Sequence, residues 1–139
     1  MDTEVTKEVV SQSYDTGFDR GRHWRAKIGY VLLATEQTIQ DDVMQLRPEG
    51  VGIHFARAAI PDSITNETLA AQIDLLADCA STLLPDGSLD VVCYGCTSGS
   101  LVIGEDNVFR ELKRGAPSAQ PTSLISGVIR ALRALGAKR

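Results

Sequence analysis

The sequence is short of cysteine, of positive charge and of long apolar runs, and each shortage excludes a class of protein. The three cysteines are an odd set without the pattern of a disulfide framework, which favours a reducing compartment and a cytoplasmic location. Lys and Arg number 14 against 18 Asp and Glu, and the net charge of −4 argues against binding to nucleic acid or an anionic membrane. No apolar segment has the length of a membrane span or the form of a signal peptide. The 139 residues therefore predict one soluble domain of ordinary size.

Three short apolar runs predict the strands of this domain. They cover residues 28–33, 51–55 and 89–93 and are bounded by turn-forming residues. The segments between them have apolar residues at helical spacing. Thr38 and Thr65 are placed to cap the two helices that follow the first and second runs, and the second of these helices is predicted to be long.

The two ends of the chain differ in character. Segment 1–26 is polar, has no persistent period and predicts an extended or disordered arm ahead of one α/β unit at 27–139. Trp24 in this arm is either an anchor on the body of the protein or on a neighbouring subunit, or local packing. The Pro- and Ser-rich connector 115–121 gives little support for a fourth strand. The predicted last helix, capped by Thr122 or Ser123, has an apolar side made of Leu124, Ile125, Val128, Ile129, Leu132 and Leu135.

The alternation of strands and helices defines the fold class. It favours right-handed crossovers and a parallel sheet with helices on both faces, which is the α/β class. Ligands of such sheets bind at the carboxyl ends of the strands. The loops at 35–38, 57–61 and 96–98 each follow a predicted strand, so we expect them to meet at one rim of the sheet.

The most informative stretch is residues 89–100, where a Val-rich run changes abruptly to small polar residues. It predicts a strand, a tight turn and a helix that begins near Gly99-Ser100. A helix start offers free backbone N–H groups to an anion or a thiolate. Cys96, Thr97 and Ser98 fall at this turn and are the candidate site: a reactive thiol with two hydroxyls beside it. The alternative is that Cys96 is only a small core residue.

The remaining cysteines and the histidines are predicted to be structural. Cys93 lies inside the strand run, Cys79 lies on the apolar side of a helix, and His54 is interpreted as a satisfied core or sheet-face histidine. The Cys93-x-x-Cys96 spacing leaves open a redox pair or half of a zinc site. No second cysteine pair exists, and His23 and His54 have no ligand spacing, so no metal site is predicted.

Residues 28–42, 96–100 (Cys-Thr-Ser-Gly-Ser), 121–123 and 131–139 together resemble the first half of an Asp/Glu racemase-superfamily protein. The branches most similar are maleate cis–trans isomerase, arylmalonate decarboxylase and the related ectoine-utilisation proteins. The resemblance covers residues 27–139. It implies a Rossmann-like three-layer sandwich with a short parallel sheet, one of the two halves of the family fold.

The resemblance also implies an activity. Members act without a cofactor on the carbon next to a carboxylate, and each half of the fold supplies one thiol. Cys96 would be the first-half thiol, acting as an acid–base group or as a nucleophile. The resemblance assigns binding of a small carboxylate substrate to Thr97, Ser98, Glu36, Gln37 and Thr38.

Two departures from the family pattern affect this reading. Isomerase-type members tend to carry Ser and Asn in the first loop, where this chain has Thr35 and Glu36, and a carboxylate there would repel a dicarboxylate. The resemblance also stops at one half, so we expect the second group from a second copy or a partner chain. Two other hypotheses stay open: a catalytically silent half-domain that binds a carboxylate or a partner, and a thiol-redox module using Cys93 and Cys96.

Overall fold

The computed structural model describes residues 11–138, which form four strands and six helices. Residues 1–10 of the predicted arm lie outside the described residues. The strands are β1 (Ala26–Leu33), β2 (Val51–Ala58), β3 (Val91–Tyr94) and β4 (Gln120–Ser123). The helices are α1 (Ile39–Leu46), α2 (Asn66–Ala70), α3 (Ile73–Ser81), α4 (Thr97–Ile103), α5 (Glu105–Gly115) and α6 (Leu124–Ala134).

The strands form one parallel sheet in the order β2-β1-β3-β4, which confirms the predicted fold class. Parallel neighbours require a crossover between them, and the helices supply it. The register pairs Leu33 with Ala58, Val31 with Tyr94 and Tyr94 with Ser123. All four strands therefore end at the same rim of the sheet.

The two faces of β1 carry different layers. Ile28 and Tyr30 face α1, whose Val43 lines the same surface groove as these two residues. On the opposite face, Val31 belongs to the main hydrophobic core, which contains Leu76 of α3. Successive strand residues point to opposite sides of a sheet, so this division follows from the sequence. None of the helices in residues 11–138 is long and apolar enough to cross a membrane.

Strand β4 is the element that the sequence did not predict. Gln120 pairs with Val91, and its N–H donates to the Asp90 carbonyl at 2.8 Å. The strand is short and contains Pro121, which has no N–H and is accepted only where a strand needs no donor, as at a sheet edge. Pairing with β3 rather than intrinsic propensity therefore defines β4.

The predicted long helix after Thr65 is divided into α2 and α3. The Thr65 cap itself is confirmed, because its side chain accepts from the Thr68 N–H in a capping box that Thr68 completes. The break falls at residues 71–72. Gln72 is 2% exposed there, and its Nε2 donates to the Ala59 carbonyl at 2.9 Å. The buried amide thus ties the break to the end of β2.

The predictions for His54 and Trp24 have different outcomes. His54 lies half-buried in β2 with its ring 5.5 Å from that of His23, but its Nε2 has no hydrogen-bond partner within residues 11–138. The prediction of a satisfied histidine is therefore wrong for this atom. Burial, then His23 and Lys27, lower the pKa of His54. The Trp24 ring lies against Gly50 just before β2, so Trp24 packs on the body of the protein.

Helices α3 and α5 pack closely because Gly115 has no side chain. A side-chain carbon at Gly115 would overlap the Ala77 carbonyl and lie 2.8 Å from Ala80 Cβ. G115A is therefore expected to lower the free energy of unfolding by about 2 kcal/mol, as overpacked cores do. Urea unfolding followed by circular dichroism measures this.

Gly127→Ala is the matched control. Gly127 lies on α6 with no atom within 4 Å of an added side-chain carbon. Alanine in a helix interior is more favourable than glycine by roughly 0.5–1 kcal/mol, so G127A should stabilise the protein slightly. Equal effects of the two variants would contradict the packing described for α3 and α5.

Candidate functional site

A cavity of about 260 Å³ opens at the rim where β1 and β3 end. Two of the three predicted rim loops reach it, the loop after β1 and the turn after β3. The described residues that line it are Leu33, Thr35, Glu36, Ile39, Gly95, Cys96, Thr97, Ser98 and Leu124. The cavity therefore combines one thiol, three hydroxyl groups and one carboxylate with apolar walls.

Cys96 occupies the cap position of α4 and so lies at a helix start, as predicted, although the helix begins at Thr97 and not near Gly99-Ser100. Its backbone is extended (φ −136°, ψ 113°), and its Sγ accepts a hydrogen bond from the Gly99 N–H at 3.2 Å. The residue is 9% exposed and also belongs to the hydrophobic core. Cys96 is thus buried, as the structural alternative required, and it still lines the cavity. Its sulfur faces a backbone donor that suits a thiolate.

The first turn of α4 presents Thr97 and Ser98 to the cavity. Both residues are exposed and line it beside Cys96. Ser100 is instead buried, and its Oγ donates to the Cys96 carbonyl at 2.7 Å. This hydrogen bond fixes the backbone that carries the thiol. The Cys-Thr-Ser-Gly-Ser string therefore contains both exposed hydroxyls at the cavity and a buried one that holds the turn.

The loop after β1 differs from the predicted arrangement. Thr38 was expected to cap α1, but its side chain makes no capping hydrogen bond. The Glu36 carboxylate takes that role: its Oε1 accepts from the N–H groups of Thr38 at 2.6 Å and Ile39 at 2.9 Å. Of the predicted loop residues, Glu36 lines the cavity, whereas Gln37 and Thr38 are exposed outside its lining.

The hydrogen bonds to Glu36 fix its charge. The N–H groups of Ile39 and Thr38 lower the pKa of this carboxyl below its ordinary value, so Glu36 is ionised at neutral pH. A second contact, which the sequence analysis missed, holds the same loop. The Arg57 guanidinium donates to the Glu36 carbonyl at 2.6 Å and to the Leu33 carbonyl at 3.3 Å. Arg57 at the end of β2 therefore anchors the loop through its backbone.

The other two thiols lie outside the cavity lining. Cys93 is 3% exposed in β3, and burial raises its pKa to about 12. Cys79 is half-buried on α3 against the core, and burial followed by the charge of Asp78 raises its pKa. The prediction that these two cysteines are packing residues is confirmed.

Five lining residues were not among the predicted site residues: Leu33, Thr35, Ile39, Gly95 and Leu124. The first four lie in or directly beside the predicted strand end, rim loop and turn, so the neighbours of the predicted site residues indicate them. Leu124 reaches the cavity only because β4 pairs with β3 and delivers the start of α6 to the rim. No local signal in the sequence indicates that pairing.

Comparison with solved structures identifies the fold of the chain. No family model and no curated protein matches the sequence. Among solved structures, Nocardia farcinica maleate cis-trans isomerase bound to Tris matches with a TM-score of 0.68 and 23% identity, over 82% of this chain and 50% of that one. A variant of that enzyme with a covalently bound succinylcysteine intermediate matches with a TM-score of 0.65 and 24% identity, over 82% and 50% of the two chains.

A cysteine-to-alanine variant of the maleate isomerase Iso of Pseudomonas putida S16 with maleate also matches. Its TM-score is 0.66 at 21% identity, over 82% of this chain and 50% of that one. At these identities the comparisons establish the fold. The chain has the maleate isomerase fold and spans about half the length of the solved structures it matches.

The charge of Glu36 predicts a pH-dependent contribution to stability. Its folded-state pKa is below the unfolded value, so the contribution is present above the ordinary carboxyl pKa and is lost as pH falls through the folded-state pKa. E36Q keeps an acceptor oxygen but removes the charge at the start of α1. We expect it to lower the free energy of unfolding at pH 7 by about 0.5 kcal/mol.

Urea unfolding of wild type and E36Q at several pH values measures this difference, which should vanish at acid pH. Glu49→Gln, at an exposed site, is the control and should change little. A difference between wild type and E36Q that persists unchanged in acid would show that the Glu36 charge does not hold the loop.

Proposed function

We propose that this chain forms one half of a cofactor-independent catalyst of the isomerase, racemase or decarboxylase kind. It acts at the carbon next to a carboxylate, with Cys96 as the nucleophilic or acid–base thiol. The observation that supports this proposal most directly is the composition of the cavity lining. It contains the Cys96 thiol, which accepts a hydrogen bond from the Gly99 N–H, and the exposed residues Thr97 and Ser98. The covalent succinylcysteine of a protein with this fold supports the same chemistry.

The proposed first step is addition of the thiolate to an unsaturated carboxylate. Cys96 Sγ forms a bond to one alkene carbon, and the π electron pair moves toward the carbon that carries the bound carboxylate. A proton from solvent then completes a saturated thioether. Negative charge grows on the carboxylate during the addition, and the hydroxyls of Thr97 and Ser98 are the donors proposed to stabilise it.

Glu36 bears on the choice of substrate. Its ionised carboxylate lines the same cavity as the proposed carboxylate-binding hydroxyls. A substrate with a second carboxylate would meet this charge at close range, where like charges repel strongly. We therefore propose a substrate with one carboxylate and a neutral or cationic group toward Glu36.

The redox alternative conflicts with the state of the second thiol. A redox pair requires the partner cysteine to ionise and reach its neighbour. Burial raises the pKa of Cys93 to about 12 and leaves it 3% exposed, so its thiolate is scarce at neutral pH. The hypothesis of a catalytically silent half-domain is tested by the experiments below. Three free cysteines among the described residues fit the proposed cytoplasmic location.

A second group is needed for turnover. Moving a proton or a substituent between faces of a carbon requires one group on each side. Within residues 11–138, Cys96 is the thiol that lines the cavity. We propose that the opposing group comes from a second copy of the chain or a partner, against the exposed apolar side of α6. Its members Val128, Ile129, Leu132 and Leu135 are 45%, 37%, 49% and 82% exposed.

The reaction predicts a covalent adduct at Cys96. The 139-residue chain incubated with maleamate, in which a neutral amide replaces one carboxylate of maleate, should gain the mass of one maleamate molecule. Maleate should react more slowly because of Glu36. Intact and peptide mass spectrometry measure the extent and place of addition. C96S should form no adduct, whereas C79S should react like wild type.

Two results would count against the proposed chemistry at Cys96. Failure of wild type to form an adduct with either compound would favour the silent half-domain. Adduct formation that survives in C96S would move the chemistry away from the cavity. Release of the trans isomer by the isolated chain would instead contradict the need for an opposing group.

The α6 surface predicts self-association. Leu132→Glu places a charge in the centre of the exposed apolar side and should shift the chain from a dimer toward a monomer. Ala134→Glu is the control, because helical spacing places Ala134 on the other side of α6. Sedimentation velocity at micromolar concentration measures the assembly state. A monomeric wild type, or the same assembly in both variants, would contradict a homodimer through this surface.

A further inference from the structure

Tyr94 is a buried polar residue that the proposed mechanism does not use. It is the last residue of β3, its side chain is 0% exposed, and its hydroxyl has no hydrogen-bond partner among residues 11–138. Leaving a buried hydroxyl unpaired costs free energy, so such a group calls for an explanation.

The Tyr94 hydroxyl and the Cys96 thiol face the same small space. Residues two apart in an extended segment point to the same side, and Cys96 keeps an extended backbone. A side-chain carbon added at Gly99 would lie 2.5 Å from Tyr94 Oη and 3.1 Å from Cys96 Sγ. Because Gly99 has no side chain, the two polar groups converge above its backbone.

The chemistry of the two groups is complementary. Burial, then the neighbouring Cys96, raise the pKa of Tyr94 above that of a free tyrosine, so its hydroxyl keeps its proton at neutral pH. A protonated phenol can donate one hydrogen bond. A neutral thiol is a weak acceptor, whereas a thiolate is a strong one.

We propose that Tyr94 is a positioning residue for Cys96, whose hydroxyl donates a hydrogen bond to the sulfur when the thiol loses its proton. The Gly99 N–H at 3.2 Å and the Tyr94 O–H then hold the thiolate together. Tyr94 thereby favours the reactive form of Cys96 and fixes the direction of its free lone pair. The inference rests on the proposed role of Cys96 as the reacting thiol.

The test compares two matched tyrosine variants. Y94F removes the hydroxyl and keeps the ring, and Y30F does the same to a half-buried tyrosine of β1 that stacks on Phe55. The rate of Cys96 alkylation by iodoacetamide is measured against pH by peptide mass spectrometry. In Y94F the midpoint of this profile should rise by roughly one to two pH units, the size expected for a hydrogen bond to a charged group. Y30F should match wild type.

An unchanged midpoint in Y94F, or an equal shift in both variants, would overturn the assignment. If Y94F does not fold, the test is made on the wild-type protein. Its near-ultraviolet tyrosine absorption should change with the same pH midpoint as Cys96 alkylation, and C96S should lose that step. Absence of the step in wild type, or its persistence in C96S, would also overturn it.

Adduct formation with maleamate separates this inference from the proposed function. An adduct without a shift in Y94F overturns the role of Tyr94 alone. A shift in Y94F without any adduct supports the role of Tyr94 and contradicts the proposed reaction.

Discussion

The pairing of β3 with β1 is the constraint on which the site depends. It continues past the end of β3, where the Gly95 N–H donates to the Val31 carbonyl at 2.8 Å. A side-chain carbon at residue 95 would overlap Leu32 Cδ2, so the glycine leaves room for the buried Leu32 side chain where the turn lies against β1. The chain then enters α4 with the Cys96 sulfur at the helix start. The thiol is therefore placed by a backbone hydrogen bond and a missing side chain, not by a flexible loop.

The sequence predicts the parts of this arrangement that depend on local patterns. Apolar runs indicate β1, β2 and β3, and the change at Gly95 indicates the turn that carries Cys96. Strand β4 has no such pattern, because it is short, contains proline and exists through its pairing with β3. The same limit applies to Tyr94, which reads as an ordinary strand residue until α4 brings Gly99 against it.

Capping shows a second limit of sequence analysis. Thr38 and Glu36 are both able to accept from the start of α1, and the residue types favour the threonine. The carboxylate takes the position because the loop turns it back onto the N–H groups of Thr38 and Ile39, while Arg57 holds the loop backbone from β2. That anchor joins residues 21 positions apart in the sequence. Glu36 therefore adds a fixed negative charge to the cavity lining. We propose that this charge is the main difference between this site and a site that binds dicarboxylates.

The central claim is that Cys96 reacts in a cavity that binds a carboxylate. Its most direct test compares alkylation of Cys96 by iodoacetate and by iodoacetamide, which differ only in the carboxylate, over a range of concentrations at neutral pH. We expect iodoacetate to react with saturation at Cys96 and faster than iodoacetamide at low concentration. Faster reaction with iodoacetamide, without saturation by iodoacetate, would contradict it.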